Sequence, residues 1–418
     1  MGKKFLLFVL CFVKIFSFAY ADYARFARIN LNPPPPLLLP YIANAPEITS
    51  RAAVLIDAET GIVLFAQNPH EEIPPASLAK LMTMHIVKRE VAAGNLSFDE
   101  LIPIGIESWA QSQPRGSSLM FLAPGQIVTL REILLGLAVP SGNDAAVAAA
   151  LRVAGSVQDF AYMMTLEARR MGLYRTRFVE PSGISEFNMT TAAEFTAFSR
   201  EYIRLYPESL ADFHSVQVFA FPAAHNVPPA QRDNPNTIVQ HNRNTLLHLF
   251  PGVDGLRTGF INQSGFNIAL TAERNHTRFI AVILGAPAGP NGARIREQDG
   301  NNLLSWAFDN FKTVRPVIEH IEPARLWKGI DDTVQLKVVD SKNFTSPVDR
   351  SESLWFYVDL PKPLVAPLPA GHPVGYMVLF DEFGEVNRIP VLTAHAHERG
   401  GFFRRIWHSI LLLFNRTS

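Results

Sequence analysis

The 418-residue chain balances 38 Lys+Arg against 38 Asp+Glu, and 48% of its residues are hydrophobic. That length has room for two domains with ample apolar side chains for their cores, and zero formal charge sets up no general pull toward nucleic acid. The sequence holds neither a G-x-x-x-x-G-K-[ST] phosphate loop nor an H-E-x-x-H zinc motif, so no cofactor and no metal is expected.

At the start of the chain, Lys3 and Lys4 precede an apolar stretch, Phe5 to Phe18, broken by Lys14. The small-x-small triplet Ala19-Tyr20-Ala21 follows. Residues 1–21 thus read as a secretory signal, with the exported chain starting at Asp22. An uncleaved anchor is the alternative, but spanning takes about 20 apolar residues and Lys14 leaves too short a run. The single cysteine, Cys11, lies inside the signal and follows Leu10, where a lipid-attachment site needs a small residue. Thiol catalysis and disulfides are therefore both excluded from the exported protein.

Residues 22–46, with "NPPPPLLLP" from Asn32 to Pro40, form a stiff spacer. Ordered structure is expected from Glu47. "RAAVLIDAETGIVLFAQNP" predicts a hairpin turning at Glu59-Thr60-Gly61. Leu78, Leu81, Met82, Ile86 and Val87 recur at helical spacing, predicting a helix from Ser77 to about Ala93. Further helices are expected over Leu130–Leu137, Ala145–Val153, Val157–Met171 and Thr191–Tyr206. A second hairpin spans Phe266–Ala286, turning at Asn275, and a last helix Asn301–Phe311. Strands at both ends with helices between predict an antiparallel sheet packed with a helical cluster, α+β in class.

Beyond about Lys312 the pattern changes. "DTVQLKVV", "LWFYVDL", "VGYMVLF" and "RIPVLTA", separated by Pro- and Gly-containing turns, predict a small all-β domain over 313–396. His395 and His397 are either ligands or part of a polar stretch. The tail, 400–418, reads "GFFRRIWHSILLLFNRTS". Phe402, Phe403, Ile406, Trp407, Ile410, Leu411, Leu413 and Phe414 fall on one side of a helix, and Arg404, Arg405, His408, Ser409, Asn415 and Arg416 largely on the other. This suits a helix lying in a membrane interface, apolar face down and arginines toward anionic lipid. A terminal helix docked on the protein's own core is the alternative.

Three short motifs carry chemistry. "PPASLAKLMT" puts Ser77 three residues before Lys80 at the predicted helix start. Alone it is equally an N-cap followed by a solvated first-turn lysine. "VPSGNDAAVAAA" gives Ser141-Gly142-Asn143 before an Ala-rich helix, which alone is a turn and cap. "GVDGLRTGF" gives Arg257-Thr258-Gly259, which alone is a strand end. In this order they match the S-x-x-K, S-x-N and K-T-G set of the penicillin-recognising serine acyl-transferases.

The likeness extends through "GSSLMFLAPGQIVTLREILLGLAVPSGNDAAVAAA", "RTRFVEPSG", "NRNTLL", "PGVDGLRTGF" and "RFIAVILGAP". Over residues 47–418 the chain resembles the D-alanyl-D-alanine carboxypeptidases of the low-molecular-mass penicillin-binding protein group. That resemblance implies a transpeptidase-like catalytic domain over 47–312 on the β-lactamase fold, then the β-domain and the amphipathic tail. It implies a peptidoglycan stem peptide ending in D-Ala-D-Ala as substrate and β-lactams as further ligands. The location implied is the periplasmic side of the cytoplasmic membrane, held there by the tail.

At i and i+3 on a helix, Ser77 and Lys80 share a face. A desolvated lysine beside the positive helix end and another cation has its ammonium form disfavoured, so a neutral amine can activate Ser77. The resemblance implies roles for the rest. Ser141 passes a proton to the leaving amine, and Asn143 holds Lys80 and the substrate amide. The backbone N–H groups of Ser77 and Phe260 form an oxyanion hole. Arg257, Thr258 with Gly259, and Arg243 bind the terminal carboxylate, with Arg296 a lesser part of that basic rim. Two positions depart from the family pattern. Arg257 stands where the third motif has lysine, and Glu180 stands where relatives often have an amide, as a loop cap or a deacylating base. Serine carboxypeptidase is the leading reading. A β-lactamase, an endopeptidase or a non-catalytic wall protein on the same fold remains open.

Overall fold

The computed structural model describes residues 45–314, 321–338, 343–348, 355–360, 363–381 and 384–414. The expected signal, residues 22–44 of the spacer, and Asn415 and Arg416 of the tail lie outside them. The chain divides into two units, one of residues 45–274 with 279–305 and the other of 275–278 with 306–414.

The first hairpin forms as expected, β1 Ala52–Asp57 pairing with β2 Val63–Gln67. Two small antiparallel pairs follow, β3 Leu101–Pro103 with β4 Ile127–Thr129, and β5 Val218–Phe221 with β6 Ile238–His241. The long strands are β7 Val253–Ile261, β8 Gly265–Arg274 and β9 Thr277–Ala286. They complete an antiparallel sheet in the order β2-β1-β9-β8-β7. β1 is buried along its whole length, so Ala52 to Ile56 are apolar without alternation and only the terminal Asp57 is polar.

The helices are α1 Ala79–Ala92, α2 Leu130–Ala138, α3 Asn143–Ala154, α4 Val157–Arg170, α5 Ala192–Leu205, the single turn α6 Leu246–Leu249, and α7 Gly292–Asn310. Their starts follow local chemistry. Thr129 and Glu132 form a reciprocal capping box on α2, and Ser156 and Thr191 accept from the N–H groups of Asp159 and Glu194. α7 starts nine residues earlier than the expected Asn301, because "GARIREQDG" has no apolar stripe to reveal it. Its Gly300 sits on the sheet, where a Cβ would lie 2.6 Å from Leu270.

α1 is buried from Ala79 through Lys88 without interruption. A helix buried all round must satisfy its polar side chains internally. Thr83 donates to Pro181 O at 2.8 Å, His85 Nε2 meets Glu167 at 2.8 Å, and Lys88 reaches Glu208 at 2.8 Å. Around α1 one apolar cluster joins Ala52, Val54 and Ile56 of β1, Ile280, Val282 and Leu284 of β9, and residues of α2 to α5. Burying each large apolar side chain there contributes roughly 1.5–3 kcal/mol.

The second unit is β-rich, with strands β10 Phe311–Val314, β11 Ala324–Trp327, β12 Thr333–Val334, β13 Leu336–Val338, β14 Phe344–Pro347, β15 Trp355–Asp359, β16 Leu364–Val365, β17 Pro373–Asp381 and β18 Gly384–Thr393. Its main sheet runs β13-β18-β17-β15, over a core containing Val334, Leu336, Met377 and Val391. Helix α8, Phe402–Phe414, ends the described chain. Phe402, Phe403, Ile406, Trp407, Ile410 and Leu413 are exposed. The polar side is the docked one: Arg404 donates to Asp332 at 2.5 Å and His408 Nδ1 accepts from Lys328 N–H at 2.8 Å. Arg404 is thus turned toward the protein, not toward lipid as the sequence pattern suggested. His397 Nδ1 lies 3.0 Å from Asp331. Among the described residues no His, Cys, Asp and Glu cluster has the makings of a metal site, and no helix is long and apolar enough to cross a membrane.

Candidate active site

Ser77 sits in a 3₁₀ turn, Ala76–Leu78, that leads directly into α1. The turn begins with Ala76 at φ +50°, a left-handed conformation costing about 1–2 kcal/mol for a residue with a Cβ. Such local strain persists where the surroundings over-determine it, and here two glycines press on the turn. A Cβ on Gly259 of β7 would lie 2.9 Å from Pro75 O and 3.0 Å from Ser77 N; one on Gly183, at φ +86°, would overlap the Ala76 carbonyl. The edge strand and the 180–188 loop can close on the turn because neither carries a side chain at the crossing.

At the second position of α1, one turn beyond Ser77, Lys80 is fully buried. Its Nζ lies 3.2 Å from Ser77 Oγ, 2.7 Å from Asn143 Oδ1 and 2.6 Å from Ser182 O. Two of these partners can only accept. A neutral amine has two N–H donors and one lone pair; donating to Asn143 and Ser182 leaves the lone pair facing the Ser77 hydroxyl. Burial first and the Arg257 charge second hold the lysine well below its ordinary pKa, with Glu180 and Asp144 opposing. The solvated first-turn reading of Lys80 is thereby excluded.

Asn143, the first residue of α3, donates from Nδ2 to Ser117 Oγ at 3.0 Å. Next to it the buried Asp144 accepts from the N–H groups of Met120, Phe121 and Leu122 at 2.8, 2.8 and 3.0 Å. This carboxylate fastens the 117–122 segment alongside the S-x-N motif. Ser141 is itself left-handed, φ +68°, and is buried.

Arg257, on β7, is also buried, and four of its five N–H donors are engaged. Nε donates to Ser77 O at 2.9 Å, Nη1 to Leu137 O and to Ala138 O at 3.2 Å, and Nη2 to Ser141 Oγ at 2.6 Å. Burial, with Arg243 adding to it, brings its pKa down to about 9, which leaves it cationic at neutral pH. The guanidinium thus ties the nucleophile turn, the end of α2 and Ser141 together from behind. Thr258 is buried, Phe260 is 44% exposed and stacks on Phe266 at 4.3 Å, and Arg243 is exposed.

Arg296 does not join a basic rim. It is 6% exposed, pairs with Glu297 at 3.0 Å and lies over the Phe266 ring. Glu180 is engaged as a loop cap: its carboxylate accepts from Ser182 N–H and Oγ–H, from Gly183 and Ser185 N–H, and from Asn188. The motifs did not flag Ser117, Asp144 or the Ser182 carbonyl. The phrases "GSSLMF", "PSGND" and "FVEPSG" held them, but their roles depend on contacts made far along the chain.

A serine beside a buried lysine, with a second serine and an asparagine converging on the pair and an arginine behind, defines a serine acyl-transferase site of the penicillin-recognising type. Residues 40–288 match the D-alanyl-D-alanine carboxypeptidase family, and residues 311–399 match the penicillin-binding protein 5 C-terminal domain. The chain belongs to the D-alanyl-D-alanine carboxypeptidase family. It is 32% identical over 379 residues to the D-alanyl-D-alanine carboxypeptidase DacC of Escherichia coli, covering 89% of this chain and 90% of that one. Its fold is similar to penicillin binding protein 5 from Haemophilus influenzae, at TM-score 0.76 and 29% identity over 85% of this chain and 100% of the other. It is also similar to penicillin-binding protein D2 from Listeria monocytogenes in its cefotaxime-bound form, at TM-score 0.54 and 26% identity over 64% and 100%.

Proposed function

We propose that this carboxypeptidase removes the terminal D-alanine from peptidoglycan stem peptides ending in D-Ala-D-Ala, through an acyl-enzyme on Ser77. One observation carries the reading: the buried Lys80 Nζ lies within hydrogen-bond reach of Asn143 Oδ1, Ser182 O and Ser77 Oγ, so a neutral amine that donates to the first two turns its lone pair to the hydroxyl. In the first half-reaction Ser77 Oγ attacks the carbonyl of the penultimate D-alanine while its proton moves to Lys80 Nζ. The N–H groups of Ser77 and Phe260 stabilise the oxyanion, and the Gly259 crossing brings the two segments together. Lys80 passes that proton to Ser141, oriented by Arg257, as Ser141 delivers its own to the departing amine, which returns Lys80 to a neutral amine. Water then enters where D-alanine left and attacks the ester while Lys80 takes its proton, and Lys80 returns that proton to Ser77 Oγ as the acyl–oxygen bond breaks.

The terminal carboxylate falls to Arg243 and Thr258, since four of the five Arg257 donors are already engaged with Ser77 O, the α2 carbonyls and Ser141 Oγ; Arg257 contributes its field. β-Lactams acylate the same serine, a reading supported by the cefotaxime-bound Listeria relative. The protein acts outside the cytoplasmic membrane, supported by the signal-like residues 1–21. There it rests on the lipid surface through α8, whose outward residues are Phe402, Phe403, Ile406, Trp407, Ile410 and Leu413.

Incubating the protein with a D-Ala-D-Ala peptide should release free D-alanine, and a fluorescent penicillin should mark the peptide containing Ser77. Label on Ser141, or equal label on Ser77→Ala, sinks the assignment. Rapid turnover of the penicillin instead of a lasting adduct makes the protein a β-lactamase.

A further inference from the structure

The 180–188 loop is built around one carboxylate. Glu180 Oε2 accepts from Ser182 N–H at 2.7 Å and Ser182 Oγ–H at 2.6 Å. Oε1 accepts from Gly183 N–H at 2.7 Å, Ser185 N–H at 3.2 Å and Asn188 Nδ2 at 2.6 Å. Asn188, fully buried, returns its Oδ1 to Val179 N–H at 2.7 Å, which closes the loop at its base. Every group around Glu180 donates, so the position demands an acceptor-only side chain; an amide would set its own N–H₂ against one of these donors.

Three successive residues of the loop in turn touch α1 and the nucleophile turn that leads into it. Pro181 O accepts from Thr83, Ser182 O accepts from Lys80 Nζ, and Gly183 abuts the Ala76 carbonyl. Among the described residues, Ser182 O and Asn143 Oδ1 are the two acceptors that meet the Lys80 amine besides Ser77 Oγ. Without Ser182 O, an N–H could point elsewhere and the lone pair would no longer be directed at the hydroxyl. We propose that Glu180 is a positioning residue for the acyl transfer: it clamps the loop so that the Ser182 carbonyl orients Lys80 toward Ser77, and it does not activate the hydrolytic water. The proposal rests on the Ser77–Lys80 reading above.

The charged groups facing Lys80 are Arg257 from β7, Asp144 from α3 and Glu180 from this loop. Glu180 and Asp144 favour the ammonium and Arg257 disfavours it. Glu180→Gln removes one anion and loosens the Ser182 carbonyl, and both changes disfavour the ammonium further. The variant should therefore show two effects in opposite senses. Its plateau rate of acylation by a penicillin should fall about 10- to 100-fold, the range by which misplacing a reacting group slows catalysis. The acid limb of its pH–rate profile should move to lower pH.

Glu180→Asp keeps the charge but shortens the reach. It should leave the acid limb in place and lower the plateau about 3- to 10-fold, and it carries the test by itself if a thermal melt finds the glutamine variant unfolded. Deacylation, followed by loss of label, should change no more than acylation does. An unchanged plateau in Glu180→Asp, or slowed deacylation with acylation at the wild-type rate, overturns the proposal; the latter result makes Glu180 the water-activating base. Wild-type protein that takes no label overturns the Ser77 reading instead, so the two failures are separable.

Discussion

Replacing Arg257 tests the site most directly, because one guanidinium serves both architecture and field. Arg257→Ala removes charged donors from Ser77 O, Leu137 O, Ala138 O and Ser141 Oγ. A hydrogen bond from a charged group contributes about 1.5–3 kcal/mol. These bonds share one side chain and do not add, so a loss of about 3–5 kcal/mol is expected from several buried acceptors left unpaired at about 1–3 kcal/mol each. In a unit of this size that lowers the melting temperature by about 6–20 °C.

The charge acts separately. Arg257 is the second-largest cause, after burial, of the depressed Lys80 pKa. Without it the pKa rises, so a smaller fraction of Lys80 is neutral at any given pH below the limb. The acid limb of acylation must then move to higher pH, opposite to the Glu180→Gln shift. Arg257→Gln keeps amide donors without charge and should move the limb as alanine does, with a smaller loss of melting temperature. Arg257→Lys keeps the charge and gives up the fork, and should stay within about tenfold of wild type with its limb in place, since tenfold corresponds to about 1.4 kcal/mol of barrier. Stopped-flow acylation from pH 5 to 10 measures all three, read beside their melts. A limb that stays put in both neutral variants refutes the electrostatic argument and leaves Arg257 as scaffolding.

Gly183→Ala should cut acylation at least about 100-fold, because its Cβ would overlap the Ala76 carbonyl and displace the loop from Ser77. Gly155→Ala, at φ +75° with nothing within 4 Å, should cost only about 1 kcal/mol of stability, with wild-type kinetics; equal kinetic losses in the two variants would show the Gly183 crossing to be irrelevant. Deleting residues 402–418 should abolish sedimentation with anionic lipid vesicles and leave D-alanine release unchanged in solution. A truncated protein that still sediments locates the anchor elsewhere.

The local features of this protein were legible in its sequence because short-range physics determines them. The S-x-x-K spacing places Ser77 and Lys80 on one helical face wherever that helix sits. Thr129, Ser156 and Thr191 announce helix starts through side chains that bond two or three residues ahead, and both long hairpins show their turns. The motif order was enough to suggest the family. The motifs anticipated that Lys80 meets Ser77 and Asn143, but the backbone partners of the two cations were not legible: Lys80 meets Ser182 O across 102 residues, and Arg257 meets the α2 carbonyls across about 120. A buried cation has no preferred neighbour in sequence, because packing decides which carbonyl stands within reach. The same limit explains Arg296, whose charge suggested a rim and whose place on α7 put it under Phe266. It explains α8 as well: periodicity separated the two faces of the helix, but only the fold, by setting Asp332 and the Lys328 amide beside Arg404 and His408, decided that the polar face turns inward and the apolar face outward.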